Sequence, residues 1–248
     1  MACASALADT GIPLGLLPAG TGNLLAVNLD IPRDLERAVE VALSGDRRKI
    51  DLGSCEQGCF AVMAGMGFDA AMLRDTSPQL KARVGPLAYV AGSRHHLRTT
   101  AVEMQLRLDG REPIVAEANM VLVGNMGRLQ GGIRALPEAD AGDGLLNVAI
   151  VRADSITSWA RVAWRLLRRR TGDDDQVQTH TASSVEVRTS RPLPVELDGD
   201  VFDDTQVLNV ETRPQALTIC VPRELELKPD EPSNSSAERS GTIQGGGT

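Results

Sequence analysis

From residue 49 to residue 221 the chain is a succession of short apolar or alternating runs, each closed by Gly, Asn or Asp, and this pattern limits the fold more than any other feature. Residues 50–52, 59–64, 102–108, 118–123, 145–151, 184–189, 193–197, 207–210 and 217–221 are each of strand length, with too few residues for a helix. Between Leu108 and Arg111 stands Asp109-Gly110, a pair that suits a tight hairpin turn because both central positions of such a turn need positive φ. Many short strands joined by turns predict a β-sandwich. With only 2% aromatic residues, its layers have to be filled by Ala, Val, Leu and Ile.

The first 48 residues read differently. Residues 2–8 resemble the end of a helix with Gly11 as its stop, and the apolar run 12–17 before Pro18 suits a buried strand. Ala19-Gly20-Thr21-Gly22-Asn23 follows, then helix-compatible residues 24–28. Another helix is predicted over 35–44, with Ala38, Val41 and Ala42 on one face. Further helices are predicted at 86–97 and 156–170, and the Pro, Ser, Gly and Glu rich tail 229–248 is predicted to be disordered. The expectation is a small α/β piece followed by a sandwich.

Charge and composition exclude several classes. A net charge of −7 argues against a nucleic-acid partner, which demands a basic face. Four cysteines in 248 residues make no disulfide framework, so a reducing cytoplasm is expected, and three histidines do not suggest a His-rich zinc site. No apolar run reaches the roughly 18–20 residues that span a bilayer. Residues 1–9 lack a basic region and carry Asp9, so they do not read as a signal peptide. A membrane substrate would have to be met from the surface, by peripheral association.

Three segments carry chemistry. Gly20-Thr21-Gly22-Asn23, between a strand and a helix, can cradle a phosphate on backbone N–H groups, and reads equally as a tight turn. Asp140 and Asp143, in the loop 137–145, can share a hard cation with a carbonyl and water, or form a solvated acidic turn. Asp198-Gly199-Asp200 at a strand end can supply a general base, or be only a turn. Cys55 and Cys59 read as a hairpin turn with two small buried residues rather than a metal pair. His95-His96 reads as a helix end, Phe68 and Tyr89 as core, and Asp69 as a cleft residue or a helix cap.

The order of these segments adds what none carries alone. Leu17-Pro-Ala-Gly-Thr-Gly-Asn23, Ile50-Asp51-Leu52-Gly53, Gly65-Met-Gly-Phe-Asp69, Gly85-Pro-Leu-Ala-Tyr89, Gly124-Asn125, Gly131-Gly132, the 137–145 loop and Asp198-Gly199-Asp200 occur in sequence. This succession, over about residues 1–223, resembles the catalytic domain of diacylglycerol and sphingosine kinases, above all the bacterial soluble lipid kinases. The resemblance implies an α+β chain in two domains. Residues 1–48 would be the remainder of an α/β nucleotide-binding domain and 49–205 an antiparallel β-sandwich domain. Residues 206–228 would hold strands returning to the first domain, ahead of the tail 229–248. It also implies ATP and Mg²⁺ as cofactors. Gly20, Thr21, Gly22 and Asn23 would contact the phosphates, Thr21 most directly. Asp51 would belong to the acid network that holds the catalytic Mg²⁺ through water. Asp140, Asp143 and the Leu145 carbonyl would hold a structural Mg²⁺, and Asp200 would be the general base that takes a proton from a lipid hydroxyl.

The chain departs from that family in three places. A Gly-Gly-Asp-Gly-Thr loop, which in the family precedes the part matching Ala2 to Leu16, is not present here. Leu24 stands where an acid of the metal network is common, and Asp200 stands where Glu is usual. Little or no kinase activity is therefore expected of the chain by itself. Residues 1–48 should be poorly stable unless a partner chain covers them, as a homodimer would. The competing readings are a non-catalytic lipid- or nucleotide-binding remnant and a kinase of a soluble metabolite such as a dinucleotide.

Residues 159–170 hold both tryptophans and five arginines. On a helix, Arg161, Arg165 and Arg168 share one side, while Trp159, Val162, Ala163, Leu166 and Leu167 gather on another. That is an interfacial pattern basic on its polar side, and equally a helix packed on the sandwich with a solvated basic face. If the helix meets membranes, neutralising Arg165, Arg168 and Arg169 together weakens binding to anionic vesicles in a sedimentation assay. Unchanged binding rejects the membrane role.

Overall fold

A computed structural model describes residues 2–20, 22–67, 101–129, 134–153, 158 and 176–223. Outside them lie Thr21, Phe68, Asp69, Gly85–Tyr89, His95, His96, Gly131-Gly132, the predicted helix 86–97, most of 156–170 with its tryptophans and arginines, and the tail.

Three short helices open the described chain: α1 (Ala2–Leu7), α2 (Leu24–Asn28) and α3 (Leu35–Ser44). The α3 helix begins where Asp34 accepts the Arg37 N–H at 3.0 Å, a cap worth about 1 kcal/mol. It buries Ala38 and Val41, while Ala42 stays half-buried. The apolar run 12–17 does not form the predicted strand. Only Leu14 pairs, in parallel with Ile219, through its N–H to Thr218 and its carbonyl to Cys220. Pro13, inside the run, and Pro18, just after it, cannot donate to a ladder, and among the described residues the run has no further strand partner.

Ten strands follow: β1 (Asp46–Cys55), β2 (Gly58–Phe60), β3 (Met63–Met66), β4 (Val102–Leu108), β5 (Ile114–Ala118), β6 (Met120–Gly124), β7 (Leu146–Val151), β8 (Val177–Ala182), β9 (Ser184–Leu197) and β10 (Asp200–Val221). They connect in the order β2-β1-β10-β9-β3-β6-β7-β8, with β4 and β5 branching from β9. Every strand-to-strand pairing among them is antiparallel.

Two layers arise because β9 serves both. Its first half pairs with β4 and its second half with β3, while β10 runs beside it throughout. Pro192 and Pro194 mark the crossing, where a strand can bend since those residues donate no ladder bond. Between the layers lies a core of Met104, Leu106, Val185 and Val187 against Met66, Val121, Val123, Val148 and Leu197. A second core, with Ala26, Ala38, Ile50, Leu52, Met63 and Leu217, joins the helices to β1 and the end of β10.

The predicted runs 184–189 and 193–197 are thus one strand, as are 207–210 and 217–221. Conversely, the predicted run 59–64 is cut into β2 and β3 at Ala61 and Val62. Cys55 and Cys59 stand at neighbouring positions of the β1–β2 hairpin, Cys55 opposite Gly58 and Cys59 opposite Ser54. Their side chains therefore point to opposite faces and enter different cores, as a hairpin reading requires.

The exposed large apolar side chains concentrate at the start of the chain, with Ile12, Leu17, Leu35, Val39 and Leu43 between 38% and 76% accessible. Among the described residues no helix is long and apolar enough to cross a membrane.

The Asp109-Gly110 turn forms as expected, with both residues at positive φ and the Arg111 N–H returning to the Leu108 carbonyl at 3.0 Å. Asp109 Oδ1 also accepts the Ser183 hydroxyl and N–H, both at 2.8 Å, and the Ser184 N–H at 3.0 Å, tying this turn to the β8–β9 turn. The Ser183 hydroxyl first, then the backbone donors, hold its carboxyl below the usual carboxylate range. A depressed folded pKa stabilises above the unfolded value near about 3.9 and is lost as pH falls through the folded value. Asp109→Asn should therefore lower the thermal midpoint at pH 7, with the gap to wild type narrowing below about pH 4. Equal gaps at both pH values contradict this role for the charge.

Candidate active site

Asp51 is the most enclosed of the predicted site residues, with no accessible surface. Its Oδ2 accepts the Gly144 N–H and its Oδ1 the Gln215 N–H, both at 2.7 Å. Its own N–H goes to the Ala141 carbonyl at 2.7 Å, and its carbonyl receives Asn125 Nδ2 at 2.7 Å. Leu52 pairs with Arg213 and Ile50 with Leu217, so Asp51 faces three β10 residues, 214–216, in a bulge. Gln215 at φ 51 turns its N–H into the carboxylate. The strand-interior Asp51 thus closes a bulge and a loop at once. Each carboxylate oxygen accepts one backbone N–H, which holds the side chain in a fixed orientation.

The loop that Asp51 holds is the predicted acidic one. Asp143 Oδ1 accepts the Leu145 N–H at 2.8 Å, and Gly144 takes φ 76, a conformation that favours glycine. Asp140 is exposed and faces Arg48 at 3.3 Å. Two carboxylates and a carbonyl are the donor type that a hard cation takes, and Mg²⁺ keeps several waters of its own, so this turn fits the ion in kind. Among the described residues, however, no group of three or more His, Cys, Asp and Glu side chains could hold a metal ion together.

Asp198 and Asp200, close in sequence, have different surroundings. Asp198 at φ 48 turns inward. Its Oδ2 accepts the Ala61 N–H at 2.8 Å, and its Oδ1 those of Val62 and Met63 at 2.9 and 3.0 Å. Burial pushes its carboxyl up against the pull of these three donors. Asp200 is exposed, and its carboxylate has no hydrogen bond among the described residues. On the preceding arm the half-buried Glu196 accepts the Gly199 N–H at 2.6 Å. Burial pushes the Glu196 carboxyl up as well, and the charges of Asp198 and Asp200 add to the rise. Glu196 escaped the sequence reading. The only hint was its alternation with core residues Val195 and Leu197, which turns it to the other face of β9, beside Gly65 of β3.

The loop before α2 closes on itself. Asn23, at φ 47, accepts the Gly20 N–H at 3.0 Å and donates to the Gly20 carbonyl at 2.5 Å, instead of capping the five-residue helix. The Gly20 N–H is therefore engaged, and no hydrogen bond among the described residues joins Gly20, Gly22 or Asn23 to Asp51, the acidic loop or Asp200. The far end of α2 does reach the second part of the chain. Asn28 exchanges two hydrogen bonds with the Arg128 backbone, and Arg128 grips Asp30 through both Nη atoms at 2.8 Å. There a cleft of about 510 Å³ opens, lined by Asn28, Asp30, Arg48, Arg128, Glu138 and Asp140 among others.

The helical start of the chain and the strands from β1 onward form a two-part architecture with two cores. Residues 1–55 match the diacylglycerol kinase catalytic domain, and residues 62–221 match the YegS C-terminal NAD kinase beta sandwich-like domain. The chain is 31% identical over 224 residues to a diacylglycerol kinase of Mycobacterium tuberculosis, covering 88% of this chain and 72% of the relative. It is 28% identical over 228 residues to the lipid kinase YegS of Escherichia coli, covering 86% and 70%. A crystal structure of a diacylglycerol kinase from Bacillus anthracis superposes with a TM-score of 0.68 at 22% identity, over 88% of this chain and 73% of that one. Of a Synechocystis relative, sll0036, 28% identical over 227 residues, the chain spans 52% of the length. The chain belongs to the family of diacylglycerol kinases and YegS-type lipid kinases.

The Asp51 geometry yields a direct expectation. Asp51→Asn sets an amide NH₂ against one of the two N–H donors and leaves a buried donor unpaired. It should lower the unfolding free energy by about 2–4 kcal/mol, as loss of hydrogen bonds to a buried charged group does. Urea titration measures this, and a change within about 0.5 kcal/mol, the range of ordinary surface substitutions, would falsify the assignment.

Proposed function

We propose that the protein transfers the γ-phosphoryl group of ATP to the hydroxyl of a membrane lipid, diacylglycerol or a related lipid alcohol. The observation that carries the reading is Asp200. It stands, with its oxygens uncommitted, on a turn that Asp198 anchors by three hydrogen bonds, in a chain whose two parts both match the lipid kinase family.

In this mechanism the Asp200 carboxylate takes the hydroxyl proton. The freed oxygen bonds to the γ-phosphorus in line as the bond to the β-phosphate oxygen breaks, leaving ADP and a phosphorylated lipid. Positioning supplies most of the rate, so a rigid mount for the proton acceptor matters more than its intrinsic basicity. Gly20, Thr21, Gly22 and Asn23 would receive the phosphates, after the Asn23 side chain releases the Gly20 N–H. Magnesium, when bound, would supply charge neutralisation on the phosphate oxygens through the water network to which Asp51 belongs, and a second, structural ion would be offered Asp140, Asp143 and the Leu145 carbonyl. Asp51 also holds their loop. The exposed acidic turn and the cleft beside it leave room for a phosphate-bearing group.

Purified protein with ATP, Mg²⁺ and vesicles containing diacylglycerol should yield labelled phosphatidic acid. Any turnover is expected to be slight, because Leu24 stands where an acid of the metal network is common in the family and Asp200 reaches one methylene less far than the glutamate usual there. Asp200→Asn should reduce turnover by about 10²-fold or more, the range for loss of a general base. An Asp200→Asn variant as active as wild type rejects Asp200 as the base. Absence of product from the wild type rejects diacylglycerol kinase activity for this chain.

A further inference from the structure

Asn125 is fully buried and donates both hydrogens of Nδ2, to the Asp51 carbonyl at 2.7 Å and the Ala61 carbonyl at 2.9 Å. Its own N–H and that of Met126 both go to the Val62 carbonyl, at 2.9 and 3.0 Å. Ala61, Val62 and Met63 are the residues whose N–H groups Asp198 holds. Asp51 in turn holds Gly144, in the acidic loop, and Gln215, in the β10 bulge. The Asn125 amide therefore adds, to the β1–β2 hairpin that already joins these strands, a hydrogen-bonded path from the Asp198-Gly199-Asp200 turn to the loop carrying Asp140 and Asp143.

The orientation of that amide is fixed by chemistry. Turning it over would set Oδ1 against two carbonyl oxygens. As it stands, Oδ1 is buried with no hydrogen-bond partner among the described residues. An unpaired buried acceptor is unfavourable, and leucine has nearly the same shape without one. Packing alone does not account for an asparagine here, whereas the two donated bonds do.

We propose that Asn125 is a positioning residue for phosphoryl transfer, locking the turn that carries Asp200 to the loop that carries Asp140 and Asp143 so that both move as one body. Its kinetic consequence rests on the phosphotransfer reading above, while the mechanical linkage does not. Within the phosphotransfer reading, Asp200 is the proton acceptor and Asp51, which holds the acidic loop, is an acid of the water-mediated metal network, so both serve one in-line displacement. Loss of register between them costs rate even when each binds its own partner normally.

The test uses the full chain with Asn125→Leu, which keeps the shape and removes both donors, and Asn125→Ser, which keeps one donor and carries the test if the leucine variant does not fold. Amide hydrogen exchange is read at residues 61–63, at Gly144 and Gln215, and in β4 as a remote reference. The expected result is faster exchange by about tenfold, the effect of losing roughly one net hydrogen bond, at 61–63 and at Gly144 and Gln215 together, with β4 unchanged. In the kinase assay, Asn125→Leu should lower kcat on the order of 10²-fold at unchanged KM for ATP, with partial recovery in Asn125→Ser. Faster exchange at only one of the two groups, or uniformly through the sheet, overturns the linkage. Coupled exchange with unchanged kcat overturns the positioning role. A wild-type chain that transfers no phosphate sinks the phosphotransfer reading instead, and the exchange pattern still decides whether Asn125 joins the two segments.

Discussion

A carboxylate with no access to water governs the junction of this molecule. Burying an ion costs several kcal/mol unless donors replace its hydration, and Asp51 has two backbone N–H groups at 2.7 Å for that purpose. Each donor belongs to a segment that would have little reason to sit where it does otherwise. Gln215 is in the bulge of β10, and Gly144 is in a glycine-dependent turn. Around the same bulge, the Asp9 N–H binds the Ala216 carbonyl and Arg213 pairs with Asp9, so the chain after α1 is fastened there too. The ladder between β1 and β10 resumes on both sides of the bulge.

The sandwich depends on a different constraint, the length of β9 and β10. A two-layer fold made only of short hairpins would leave open edges between its layers, and exposed edges are a liability. Here the strand that crosses from one layer to the other carries prolines where the ladder can spare a donor. Its long partner β10 runs from the Asp200 turn to the helical core at Leu217 and Ile219. Sandwich core, helical core and candidate site are thus ends or bends of the same two strands, and the Asp200 turn is mechanically continuous with the rest.

Much of this was legible in the residues, and what was not has physical causes. The helices at 24–28 and 35–44, strand β4 with its strict alternation and the Asp109-Gly110 turn follow from local periodicity and turn chemistry. The continuity of β9 and β10 does not, because Arg191-Pro192 and Arg213-Pro214-Gln215 look like turns when read locally. They become strand only through partners far away in sequence. The run 12–17 errs the other way, since its apolar residues satisfy a strand pattern but only Leu14 meets a ladder. Family resemblance brought Asp51 and the 140–145 loop to notice together. Their contact through Gly144 and Ala141, and the saturation of Asp51 by backbone donors, are tertiary facts without a local signature. Asp198 and Asp200 look interchangeable in sequence, and only the left-handed backbone at Asp198 and Gly199 separates them.

That separation sharpens how acids in this chain divide between architecture and chemistry. Asp51, Asp109 and Asp198 each accept two or three hydrogen bonds, all but one of them from backbone N–H groups. A carboxylate so occupied is a joint, because its hydrogen bonds hold separate segments of backbone together. Among the described residues Asp200 has no such commitments and Asp140 has only a solvent-exposed pairing with Arg48, which contributes little and is readily exchanged. The two less committed acids are thus mounted on segments fixed by the heavily hydrogen-bonded ones. Transfer of a phosphoryl group, where placement outweighs covalent participation by the protein, has most to gain from that arrangement.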